Sequence, residues 1–100
     1  MMAIDHAVSR AIFLAHVLEK AVHDNGPWTL SLNGIHEVAT REIGDDSVRF
    51  SAAFPVYGRT EGELTLYCGG EFVIAKHVTL PECEQAQVDY ELTLPTEVRA

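Results

Sequence analysis

The spacing of apolar residues changes once along this chain, at Pro27. Before it, Ile4, Ala7, Val8, Ala11, Leu14, Ala15, Leu18, Ala21 and Val22 recur at i, i+3, i+4 and i+7. That spacing collects side chains on one face of an α-helix. It predicts an amphipathic helix over about residues 3–24, whose alanines let it lie close against a sheet. Asp24-Asn25-Gly26-Pro27 ends it, because Asn and Gly accept the left-handed C-terminal turn and proline cannot continue a helix.

After Pro27 the period falls to two, and strands are expected over about 28–32, 35–43, 48–56, 63–68, 71–80 and 87–94. Asn33-Gly34 is a two-residue hairpin turn joining the first pair. In the second strand the apolar phase slips between Ile35 and Val38, which reads as a bulge or a shifted register. Val48, Phe50, Ala52, Phe54 and Val56 share one face, and pairing across the turn at Gly44–Ser47 sets Glu42 opposite Arg49. Pro55 has no N–H to give a ladder, so its end of the strand is expected at a sheet edge. Gly69-Gly70 folds the next strand back on itself, pairing Leu66 with Val73 and Leu64 with Ala75 on one face. The other face then carries Tyr67 with Phe72 and Thr65 with Ile74. In the last strand Val88, Tyr90, Leu92 and Leu94 point inward, and 95–100 is a frayed tail. The sum is a single α+β domain over 1–100: one N-terminal amphipathic helix packed on an antiparallel sheet of about six strands. The alanine-rich helix favours one curved sheet over a sheet curled into a sandwich or barrel.

Charge narrows the function. The chain of 100 residues carries 7 basic and 15 acidic residues, net −8, and 12 of the acidic residues follow the helix. Such a chain offers no basic patch for nucleic-acid phosphates. No apolar run approaches the ~18 residues that span a membrane. The first residues lack the basic start of a secretory signal, so a cytoplasmic protein is expected.

Candidate chemistry is thin. His16, Glu19 and His23 share a helical stripe with Asp5 and Ser9, and two imidazoles with a carboxylate can hold zinc. The stripe lies opposite the apolar face, however, and His16 and His23 stand roughly 10 Å apart along the axis. No metal or other cofactor is therefore expected. His36 and His77, on strands, could meet Glu37 or Asp89 as an acid–base pair only by lining a common pocket. No serine sits in a nucleophile elbow, and no phosphate-binding glycine motif is present. Cys68 and Cys83 are too few for a disulfide framework and read as small buried hydrophobes.

Surplus apolar residues point to contacts with other proteins. Ile12, Phe13 and Val17 fall outside the helix's apolar arc, and the hairpin from Tyr67 to Ile74 is apolar on both faces. Phe13, Val17, Tyr67, Phe72 and Ile74 are accordingly the candidate interface, for self-association or for a protein partner.

The whole pattern of one amphipathic helix, Ile4 to Val22, hairpin turns at Asn33-Gly34 and Gly69-Gly70, and no catalytic motif resembles the small structural and assembly proteins of tailed-bacteriophage necks and tails. The resemblance implies a non-enzymatic subunit acting through oligomeric or heteromeric contacts, made in a bacterial cytoplasm and carried in the virion. The helix-on-sheet order is also similar to that of the cystatins, but the inhibitory Gln-x-Val-x-Gly loop is missing, so protease inhibition is not implied. A soluble acidic inhibitor that blocks a basic surface of a nucleic-acid enzyme is the alternative from another class. A domain binding a small ligand between helix and sheet is the third.

Overall fold

The strand expected over residues 35–43 breaks at Ala39, and the break decides the architecture. The structure is a computed structural model that describes residues 6–93, with side chains from Ser9 onward. Helix α1 covers His6–His23, and seven strands follow: β1 (Trp28–Leu32), β2 (Ile35–Val38), β3 (Thr40–Ile43), β4 (Ser47–Pro55), β5 (Glu61–Cys68), β6 (Glu71–Thr79) and β7 (Gln85–Thr93). They form two antiparallel sheets, β2-β1-β5-β6 and β3-β4-β7. The Ala39 N–H donates to the Trp28 carbonyl at 3.0 Å, the last bond to the first sheet. Thr40 then pairs with Ser51 in the second. One run of chain is thus an edge of both sheets and forms the corner between them. The fold is α+β as expected, with two sheets in place of one. They do not close into a barrel, because β6 and β7 end different sheets with no ladder between them.

The inner faces of the two sheets enclose the core. Leu30, Leu64 and Leu66 of one meet Val48, Phe50 and Phe54 of the other, all at most 1% exposed. The Trp28 and Phe50 rings lie 4.6 Å apart between centroids. The expected alternation of Val48, Phe50, Ala52, Phe54 and Val56 holds, as does that of Val88, Tyr90 and Leu92: all eight are buried. Glu42 pairs with Arg49 in the ladder and forms an ion pair with it. At the Asn33-Gly34 hairpin both residues take the left-handed conformation, φ 49° and 89°, that the tight turn requires.

Several expectations are corrected. Pro55 lies on β4, the central strand of its sheet, but as its last residue, opposite Gln85, where a missing N–H removes only the final rung. In the β5–β6 hairpin Tyr67 faces Phe72, but Leu66 faces Ile74, Thr65 faces Ala75 and Leu64 faces Lys76. A β-bulge at Val73 and Ile74 causes this one-residue shift, and both residues pack toward the core. Ile74 therefore leaves the proposed interface. On the helix, Ala11, Val17 and Ala21 are buried, Leu14 and Leu18 are half-buried, and Ala15 and Val22 are exposed. The buried stripe is rotated by roughly 50° from the sequence-derived face, taking 100° per residue, and Val17 is a core residue rather than an interface one. Ile4, Asp5, Leu94 and the tail at 95–100 lie outside the described residues, as do the side chains of Ala7 and Val8.

Candidate interaction surfaces

The two sheets present opposite chemistry to solvent. On the outer face of β3-β4-β7, register aligns Glu42, Arg49 and Glu91 in one row and Thr40, Ser51 and Asp89 in the next. This face is polar, and its one arginine is already bonded to Glu42.

The outer face of β2-β1-β5-β6 is different. Its register aligns Val38, Thr29, Tyr67 and Phe72 in one row across all four strands. Val38 is 78% exposed at one end and Phe72 64% exposed at the other. The Tyr67 ring meets Phe72 edge-on at 6.4 Å and His36 at 5.4 Å, so three rings follow one another across the sheet. Beneath them Ser31 and Thr65 are buried in the adjacent row, His36–Ser31–Thr65–Ala75. Of the sequence-derived interface, Tyr67 and Phe72 fall here together. Phe13, 48% exposed, is on the helix with Ile12, and belongs to a separate surface. Val38 and His36 were not anticipated. Their signal was present in the Asn33-Gly34 turn, which fixes Thr29 opposite Val38 and so brings β2 onto the Tyr67 row.

The helix C-terminus gathers a cluster of polar contacts. The Asp24 carboxylate accepts from the Gly26 N–H at 2.9 Å and from Lys20 Nζ at 3.0 Å. The Gly26 N–H, then the Lys20 ammonium and the Cys68 thiol, hold this carboxyl down to about 2. Lys20 is raised in turn, chiefly by its bond to Asp24. The Trp28 indole N–H donates to the Asp24 carbonyl at 3.0 Å, and Arg41 donates to the carbonyls of Ala21 and Asp24. These satisfy the carbonyls that a helix end leaves without intrahelical partners. Cys68 is buried, and burial followed by its bond to Asp24 pushes its thiol pKa up. Such a thiol is a poor nucleophile. Cys83, expected to be buried, is exposed, with Sγ 3.0 Å from the Gln85 carbonyl.

His16, Glu19, Lys20, His23 and Asp24 line an open hollow on the helix surface. Among the described residues no three His, Cys, Asp or Glu side chains are grouped to hold a metal ion. His77 faces Glu61 at 3.8 Å, both well exposed. His36 packs near Tyr67, on a different sheet from Asp89. Both strand histidines thus lie on a different sheet from Asp89, and His36 and Glu37, consecutive on β2, point to opposite faces. Among the described residues no helix is long and apolar enough to cross a membrane. No known protein family, curated protein or solved structure matches this chain.

Proposed function

We propose that this protein is a non-enzymatic structural or assembly subunit that works through protein–protein contacts on the outer face of the β2-β1-β5-β6 sheet. One observation carries the reading: the Val38–Thr29–Tyr67–Phe72 row leaves a valine 78% and a phenylalanine 64% exposed on a four-stranded face. Exposed apolar side chains such as Val38 and Phe72 are a cost in water and a gain in an interface core, where aromatics are enriched. The whole-chain resemblance to phage neck and tail proteins supports the same class and suggests virion assembly as the setting.

Size-exclusion chromatography with light scattering tests it. The wild type should form a defined oligomer, and the Val38→Ser/Phe72→Ser double variant should be a folded monomer with an unchanged circular dichroism spectrum. Both residues are exposed, so their replacement leaves the core intact. A wild type that remains monomeric at high concentration would sink self-association and favour the acidic-inhibitor reading.

A further inference from the structure

Of the two strand edges that flank the open side of the molecule, one is guarded against pairing and the other is not. β6 carries the bulge at Val73 and Ile74. It also places Lys76 on its inner face, opposite buried Leu64, with Nζ 4.4 Å from the centroid of the Tyr90 ring. A bulge and an inward-facing charge are devices that keep a free edge from recruiting another strand. β7 has neither. It pairs with β4 through nine consecutive residues, Thr93 opposite Ser47 to Gln85 opposite Pro55, without a register shift. Its sequence, QAQVDYELT, holds no Pro, Gly or Lys. Among the described residues no strand pairs with its other side. Between the two edges lies a cleft of about 280 Å³ lined by Arg10, Leu14, Ile74, Lys76, Tyr90 and Leu92, among others.

The side chains of β7 state what a fourth strand would have to be. Its inner row, Ala86, Val88, Tyr90 and Leu92, is buried and apolar. Its outer row is exposed and includes Asp89 and Glu91. Glu91 ends the row Glu42–Arg49–Glu91, in which charge alternates from strand to strand. The next position in that alternation is basic. A second copy of β7 does not meet the requirement, because it brings no basic residue, and antiparallel self-pairing centred on Tyr90 would set Asp89 of each copy against Glu91 of the other, where like charges across a ladder repel.

We infer that β7 is an acceptor edge for an extended segment of a partner protein, alternating apolar and basic residues, that joins the β3-β4-β7 sheet as its fourth strand. Backbone hydrogen bonds supply the attachment, and the alternating side chains supply the selectivity. The apolar residues continue the core beside Val88, Tyr90 and Leu92, while the basic ones lie beside Asp89 and Glu91. This edge is distinct from the outer face of the other sheet, so the inference does not depend on association there.

The probe is a nine-residue peptide of alternating valine and lysine, the length of β7. Its binding is followed by fluorescence anisotropy and by amide hydrogen exchange on the full chain. Binding should saturate, slow exchange along β7 and leave β6 unaffected. Asp89→Lys/Glu91→Lys, two exposed positions, should weaken it by about tenfold or more through loss of the charge match. Phe72→Ser should bind like the wild type. The absence of binding overturns the inference. So does slowing at β6 instead of β7, or equal affinity for a peptide of the same composition with its valines and lysines segregated.

Discussion

Asp24 shows how one side chain can tie several elements together. Its carboxylate holds the Gly26 N–H, Lys20 and the Cys68 thiol, while its carbonyl receives Trp28 and Arg41. Helix, β1, β3 and β5 therefore meet at one residue. Its carboxyl ionises at about 2 in the folded chain against 3.8 ordinarily. A carboxylate with a depressed folded pKa contributes stability that is complete above the ordinary value and lost as pH falls toward the folded one. Asp24→Asn should lower the melting temperature at pH 7, and the gap to wild type should shrink between about pH 4 and pH 2. A gap that persists unchanged to pH 2 contradicts this. Trp28→Phe removes the indole N–H from the Asp24 carbonyl, which keeps Arg41. The expected cost is about 1–2 kcal/mol, read by chemical denaturation. The helix stop was legible in Asp24-Asn25-Gly26-Pro27. The clamp from Arg41 was not, because it comes from a residue 17 positions away that only the β3–β4 pairing brings close.

For the helix as an element, the question is which alanine faces the core. Ala21 is fully buried and Ala15 exposed. Ala21→Leu should therefore destabilise by about 1–3 kcal/mol through overpacking. Ala15→Leu should stay within about 0.5 kcal/mol of wild type. The reverse order in thermal melts would place Ala15, not Ala21, against the core and contradict this burial. That face was misplaced because alanines count as apolar wherever they occur, and Ala15 drew the arc away from Val17. Strands show the same division. Where apolar and polar residues alternate, as from Val48 to Val56, the face was readable. Where every residue is apolar, as in Phe72-Val73-Ile74-Ala75, a period of two fixes no register, and the bulge was invisible. The corner at Ala39 was equally silent, since no Gly, Pro or Asn marks it. The slipped phase before it was the only sign.

Over the whole molecule, the two proposed contacts differ in how they answer salt. Copies meeting through Val38, Tyr67 and Phe72 each carry a net charge of −8, so screening their repulsion should strengthen association as ionic strength rises from about 20 to about 300 mM. Capture of a basic strand beside Asp89 and Glu91 should weaken over the same range. Sedimentation and anisotropy titrations would separate the two, and a shared direction would show that one surface had been misassigned. Mechanically, the domain works as a clasp. Its spine is the chain crossing at Ala39, its mouth is the cleft from Ile74 to Thr93, and helix α1 lines that mouth with Arg10 and Leu14. Among the described residues the leaves share no hydrogen-bonded rung at the mouth, so strain applied through helix α1 should be released there first. A bulkier residue at buried Ala11, one turn from Leu14 in the cleft wall, should widen the mouth and draw Lys76 off the Tyr90 ring. The upfield shift of the Lys76 ε-methylene protons would then fade; if it stayed, the helix would not set the width of the clasp.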